Sequence, residues 1–137
     1  MQITLDDPDS VAAPVGPYSH VARLESGDGV LLMLSGQIAV DAGGGLVGEG
    51  SMTEQARRVF EIIEGILAAH GAAFEHVVNI RTYLTDIGLL PEYGAVRRKY
   101  FTGPPPTSTT IEVSRLFRPG ALLEVEVVAA VGEPAPA

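Results

Sequence analysis

The chain has 137 residues, 46% of them hydrophobic and 19% charged, a composition typical of one folded domain and not of a disordered segment. Its 17 acidic residues outnumber the 9 basic ones and give a net charge of −8, which disfavours nucleic acid as a partner because an acidic surface repels phosphates. The absence of cysteine excludes disulfides, thiolate nucleophiles and cysteine-based zinc sites.

The N-terminal segment has neither the basic residues nor the long apolar run of an export signal. No stretch approaches the roughly 18 apolar residues of a membrane span. We therefore expect a cytoplasmic protein with no membrane partner. Because the chain has no internal repeat and no long linker, we expect one domain over residues 1–132 and a frayed tail over residues 133–137.

Hydrophobic periodicity and turn residues define the predicted elements. In chain order they are strands at residues 3–5, 18–24 and 30–34, a helix between Ser51 and Gly71, a strand at residues 76–84, a helix from Pro91 to about Phe101, and strands at residues 108–113 and 122–131. Ser51 and Glu54 have the spacing of a capping box, and Gly71 suits a helix end. This order predicts an α+β fold with both helices on one face of a mixed sheet.

Two of the predicted strands are apolar on both faces. Residues 31–34 and 127–131 are hydrophobic at every position, whereas a half-exposed strand alternates apolar and polar residues. Two helices cover only one face of a sheet, and no segment of this chain remains to cover the other. We therefore expect an oligomer, since large apolar patches mark interfaces.

Short segments spread in order over residues 13–130 carry a family pattern. They are residues 13–18 (APVGPY), 34–38 (LSGQI), 55–56 (QA), 83–86 (YLTD), 111–116 (IEVSRL) and 124–127 (EVEV). In this order they resemble the YjgF/RidA (reactive intermediate deaminase) family. The resemblance implies a chorismate-mutase-like α+β fold and a homotrimer that binds a small molecule in clefts between subunits. Enzymatic members hydrolyse enamines and imines to 2-keto acids and ammonia without metal or organic cofactor.

The resemblance also implies a set of site residues. Glu124 matches the glutamate that positions water, and Thr110 matches a small residue of the cleft. The remaining substrate-binding positions fall on Tyr18, Ser35, Gly36, Gln37 and Ser108. No residue is predicted to bind a metal ion, and no cofactor is expected, since the reaction of the family needs none.

One functional position departs from the family pattern. The arginine that grips the substrate carboxylate is replaced by Ser108, and no arginine occurs between Lys99 and Arg115. A hydrogen bond to a charged group contributes about 1.5–3 kcal/mol, so the loss of two weakens binding by roughly two to four orders of magnitude. Arg81 and Arg115 are candidate replacements, although a solvated or interface role is the simpler interpretation of each. Gly94 also stands where many members carry a polar residue.

The other candidates also have simpler interpretations. Glu124 and Glu126 share one strand face and suit acid/base chemistry, or they form an acidic, solvent-facing strand edge. Tyr18 is either a pocket wall or an interface residue, and Thr110 is also a good strand former. The basic cluster at residues 97–99 is interpreted as a solvated helix face.

Other chemistries lack their patterns. His20, His70 and His76 have no metal-ligand spacing, no serine lies in a G-x-S-x-G elbow, and residues 43–45 lack the lysine of a phosphate loop. Two hypotheses therefore remain. One is an enamine/imine deaminase that acts on an altered substrate, and the other is a binding trimer that has lost the reaction.

Overall fold

The predicted order of elements is confirmed by the computed structural model, which describes residues 1–132. The elements are β1 (Gln2–Asp6), β2 (Val21–Ser26), β3 (Gly29–Leu34), α1 (Met52–Ala69), β4 (Val77–Leu84), α2 (Leu90–Tyr100), β5 (Thr107–Glu112) and β6 (Leu123–Val131). Short 3-10 turns precede β4 and α2. The tail predicted at residues 133–137 lies outside the described residues.

The strands form one mixed sheet in the order β1-β2-β3-β6-β4-β5. Neighbouring strands are antiparallel except β4 and β5, which are parallel because α2 crosses over between them. In this order β6, the last strand among the described residues, lies in the interior of the sheet, and β5 lies at an edge. The predicted α+β class is confirmed.

Local signals define α1 much as the sequence predicts. The Ser51 hydroxyl accepts a hydrogen bond from the Glu54 N–H at 3.2 Å. The reciprocal bond of the capping box is absent, because the Ser51 N–H donates instead to the Gly48 carbonyl at 2.9 Å. Gly71, at a φ of 73°, ends the helix as predicted, and its N–H donates to the Ala68 carbonyl at 3.1 Å. Within residues 1–132 no helix is long and apolar enough to cross a lipid bilayer.

The core lies between the helices and one face of the sheet. Fully buried side chains alternate along β6 and meet the apolar stripe of α1. Phe60 is central: its ring centroid lies 5.0–6.0 Å from those of Phe74, Tyr93, Tyr100 and Phe101. Tyr93 is also tied to the sheet, because its hydroxyl lies 2.6 Å from that of Thr82. These contacts fix α2 against α1 and β4.

The face of the sheet away from the helices, here called the open face, has no cover within the described chain. Leu31 and Met33 on β3 are 36% and 48% exposed, and Ile3 and Leu5 on β1 are 63% and 69% exposed. The two-faced strands thus place apolar side chains on the surface, as the sequence pattern indicates. Their burial by other subunits stays a prediction.

Candidate functional site

A pair of glutamates lies on the open face of β6. Glu124 and Glu126 are half-buried and alternate with side chains that face the core. Because β6 is an interior strand, the interpretation of these residues as a solvent-facing strand edge is wrong. Tyr83 of β4 lies directly opposite Glu124 and donates a hydrogen bond from its hydroxyl to the Glu126 carboxylate. We call Tyr83, Glu124 and Glu126 the carboxylate cluster.

The carboxylate cluster has shifted proton affinities. Burial raises the pKa of Glu124 above the ordinary glutamate value, and the negative charge of Glu126 raises it further. The hydrogen bond to Glu126 raises the pKa of Tyr83, with burial as the next cause. A carboxyl group whose pKa moves toward neutrality can both accept and return a proton near physiological pH. Glu124 therefore has the electrostatic environment of an acid/base group.

The carboxylate of Glu124 packs against the backbone of Gly36. After β3 the chain stays beside β6, where the Gln37 N–H donates to the Val125 carbonyl at 2.8 Å and the Val125 N–H donates back at 3.1 Å. This brings Gly36 directly under the Glu124 side chain. A Cβ at residue 36 would lie only 2.6 Å from Glu124 Oε2, so any larger residue would displace the carboxylate.

A buried polar network supports this segment. The side-chain amide of Gln37 lies 3.2 Å from His20 Nδ1, and His20 Nε2 lies 2.7 Å from the Ala12 carbonyl. The two contacts are satisfied together when Nε2 carries the hydrogen and Nδ1 accepts from Gln37. The Ser35 hydroxyl donates to the Ser19 carbonyl at 2.6 Å. His20 is thus a positioning residue, which sequence analysis missed because it was tested only as a metal ligand.

A cleft opens beside Gly36. Its lining includes Val15, Tyr18, Ile38 and Phe117, and the rings of Tyr18 and Phe117 are 42% and 63% exposed. Tyr18 therefore shares this cleft with Gly36 and Gln37, whereas Glu124 is not part of its lining and approaches it only through its contact with Gly36. Among residues 1–132 no three His, Asp or Glu side chains are gathered in a way that would hold a metal ion.

The remaining predicted site residues lie elsewhere. Ser108 and Thr110 pair with the buried residues Ile80 and Thr82 of β4, so they lie on the helix side of the edge strand β5. The side chain of Arg97, from α2, reaches this strand, and its Nη1 donates to Ser108 Oγ at 3.1 Å. We call Arg97, Ser108 and Thr110 the edge-strand cluster.

The cations near the edge-strand cluster differ in part from their predicted roles. Arg98 and Lys99 are exposed as predicted, whereas Arg97 is half-buried and donates to the exposed Ser108, so the solvated helix face applies only in part to Arg97. Arg81 lies opposite Glu126 on the open face, and Arg115 lies exposed in the loop after β5. Neither arginine forms a hydrogen bond with Ser108.

One chain therefore does not bring all the predicted site residues together. The edge-strand cluster and Glu124 lie on opposite faces of the sheet, and β4 separates β5 from β6. Two strand spacings amount to about 10 Å. A pocket that contains both groups requires a second chain.

Replacement of Gly36 by Ala tests the contact that places Glu124. We expect Gly36→Ala to lower the free energy of unfolding by about 1–3 kcal/mol, because the new methyl group overlaps the carboxylate. Chemical denaturation measures this loss. Gly103→Ala is the matched control, because a Cβ at residue 103 would meet no atom within 4 Å.

A double-mutant cycle identifies the cause. In a Glu124→Ala background the overlapping carboxylate is gone, so Gly36→Ala should cost much less. An equal cost in both backgrounds would show that Gly36 is required for some reason other than Glu124.

Comparison with known proteins gives a consistent family assignment. Residues 9–131 match the model of the family described as Endoribonuclease L-PSP. The chain is 37% identical to Protein DfrA of Myxococcus xanthus over 88% of this chain and 90% of that protein. It is 40% identical to a RutC family protein of Saccharolobus solfataricus over 85% of this chain and 88% of that protein.

Solved structures share the fold. YyfA of Yersinia pestis, described as a protein of unknown function of the conserved Rid protein family, superimposes with a TM-score of 0.85. The sequences are 29% identical, and the match covers 95% of this chain and all of the other. The mixed sheet with two helices is therefore the fold of this structure as well.

Proposed function

The chain belongs to the endoribonuclease L-PSP family, the YjgF/RidA proteins, and we propose that it is an enamine/imine deaminase that acts on an altered small-molecule substrate. The observation that carries this proposal is the half-buried Glu124 carboxylate, whose pKa is raised by burial and which lies against Gly36 beside a cleft. A positioned carboxylate with a raised pKa can act as the acid/base group in imine hydrolysis without a cofactor.

Glu124 would serve in both halves of the reaction. Its carboxylate accepts a proton from water as the water oxygen bonds to the carbon of the protonated imine, which gives a neutral amino alcohol. The same proton then passes to the nitrogen of this adduct. The Glu124 carboxylate takes the hydroxyl proton as the C–N bond breaks and the ketone forms, and it passes that proton to the released ammonia. One water is consumed for each ammonia released, so no oxidant, reductant or metal is needed to balance the reaction.

The cleft is completed by other copies of this chain in our proposal. Because the carboxylate cluster and the edge-strand cluster lie on opposite faces of the sheet, one subunit of a homotrimer would supply Glu124 and its neighbour would supply Ser108 and Thr110. The exposed Leu31 and Met33 of the open face support this, since burial against another subunit removes them from water.

Nucleic acid is the less suitable ligand despite the family's description. A net charge of −8 opposes the phosphate contacts on which RNA affinity depends. A second candidate function, binding of a small molecule without turnover, is favoured by one observation. Ser108 stands where the family pattern has its carboxylate-binding arginine.

An ammonia assay separates the two candidate functions. We expect the protein to release ammonia from enzymatically generated 2-aminoacrylate, or from imines of branched amino acids, faster than buffer alone but slowly, because Ser108 replaces the carboxylate-binding arginine. The same samples are tested for a ligand-induced rise in melting temperature with the corresponding 2-keto acids. Stabilisation by a 2-keto acid without ammonia release would contradict the deaminase and support the binding protein.

A further inference from the structure

The guanidinium of Arg97 is half-buried and makes two side-chain contacts beside β5. Its Nη1 donates to Ser108 Oγ at 3.1 Å, and its Cζ lies 5.6 Å from the centre of the Phe101 ring, within the range of a cation–π contact. It also lies near the buried hydroxyl of Tyr93, whose pKa is raised by burial and lowered in part by Arg97. These contacts come from α2, from the segment after it and from β5.

Most of the hydrogen-bonding capacity of this guanidinium is unused. An arginine has five N–H donors, of which one bonds Ser108 and another interacts with the Tyr93 hydroxyl. Within residues 1–132 Arg97 forms no ion pair, although the chain has 17 acidic residues. An ordered, half-buried cation without a carboxylate partner is suited to bind an anion from solution.

Further donors lie on the same side of the edge strand. Thr110 is two residues from Ser108 on the helix side of β5 and adds a second hydroxyl. The outer edge of β5 has no strand partner in the described chain, so its outward backbone groups are available to a ligand. A planar carboxylate has two oxygens and matches the paired donors of a guanidinium.

We propose that Arg97, reaching from α2 across Ser108, is the residue that binds the carboxylate of the ligand. This inference rests on the function proposed above in one respect, that the edge-strand cluster forms half of the ligand cleft. The small side chain at residue 108 is then a requirement, because it leaves room for the guanidinium of Arg97 to lie over β5. The ligand that follows carries a carboxylate group, rather than lacking an acid group.

The test uses direct binding and needs no turnover. Isothermal titration calorimetry with 2-ketobutyrate and with its neutral amide compares wild type, Arg97→Gln and the matched control Arg98→Gln, which removes an exposed cation from the same helix. We expect Arg97→Gln to weaken binding of the acid about 10- to 100-fold and to leave binding of the amide unchanged. Arg98→Gln should alter neither.

A structural role for Arg97 would give a different result. If Arg97 only packed on Phe101, both the acid and the amide would lose affinity together, as the melting temperature fell. Should Arg97→Gln not fold, Arg97→Lys replaces it in the comparison. The lysine keeps the charge and loses the paired donors, so a smaller, acid-specific loss is expected.

The outcomes distinguish this inference from the proposed deaminase activity. Binding of 2-ketobutyrate that depends on Arg97, without ammonia release, would support the anion site and contradict the deaminase. Ammonia release with equal affinities in Arg97→Gln and Arg98→Gln would support the deaminase and overturn the role of Arg97. A wild-type protein that does not prefer the acid over the amide would also overturn it.

Discussion

Replacement of Glu124 by Gln is expected to lower kcat for imine hydrolysis about 10²- to 10⁴-fold, the usual contribution of a positioned acid/base group. Gln keeps the size and hydrogen-bonding shape of the side chain over Gly36 but cannot take a proton from water. Ammonia release under saturating substrate measures the effect. The matched control is Glu126→Gln, the same chemical change two residues along the same strand face.

The control should also shift the pH profile in a defined direction. Burial raises the pKa of Glu124 and Glu126 adds to the effect, so Glu126→Gln should lower the pKa of Glu124 and move the acid limb of the activity profile to lower pH. Activity at neutral pH should be largely retained in this variant. Equal losses in Glu124→Gln and Glu126→Gln would mean that Glu124 has no special role.

The Glu124→Gln variant also has an expected signature in stability. A carboxyl group with a raised pKa binds its proton more tightly in the folded than in the unfolded protein, so ionisation of Glu124 disfavours folding at neutral pH. Glu124→Gln should therefore unfold at a higher denaturant concentration than wild type at pH 7. This difference in stability between Glu124→Gln and wild type should disappear as the pH falls through the raised pKa of folded Glu124 toward the pKa of Glu124 in the unfolded protein.

Local patterns predict the elements of this fold but not the contacts between them. The helical period of α1, its Ser51 cap and the closing Gly71 are set by neighbours in sequence, and the structure confirms them. The predicted bond from the Ser51 N–H to the Glu54 side chain is absent, because this N–H donates to the Gly48 carbonyl. That contact depends on the geometry of the preceding loop, which residue spacing alone does not predict. The alternation of residues along β6 likewise predicts that Glu124 lies on the face opposite the core, and the structure confirms this.

The candidate site depends on pairings that are distant in sequence. Sequence alone does not show that β5 is an edge strand, because this follows from the strand order of the sheet. Nor does it show which face of β5 lies toward α2, because this follows from the register with β4. The contact between Arg97 and Ser108 follows from that register. The approach of Gly36 to Glu124 requires the antiparallel bridge between Gln37 and Val125, which joins segments far apart in the chain. Family resemblance supplied Glu124 and Ser108 as candidates, but not Arg97 or His20.

Replacement of Phe60 by Ala is expected to lower the free energy of unfolding by about 3–5 kcal/mol, the largest stability effect among the variants considered. Phe60 is fully buried, and its ring lies within 6.0 Å of four other aromatic rings, so deletion leaves a cavity that rigid neighbours cannot fill. Chemical denaturation at fixed pH measures the loss. Phe117→Ala is the matched control, because the same atoms are removed from a ring that is 63% exposed.

Phe60 also connects the core to the edge-strand cluster. Its ring stacks on Tyr93 and Tyr100 of α2 and meets the edge of Phe101, the ring on which the Arg97 guanidinium lies. Phe60→Leu refills most of the cavity and should cost about 1–2 kcal/mol, since mainly the ring contacts are lost. The expected order of destabilisation is Phe117→Ala, then Phe60→Leu, then Phe60→Ala. Equal costs for the two alanine variants would contradict the central place of Phe60, because α2 and its arginine would then be held by other contacts.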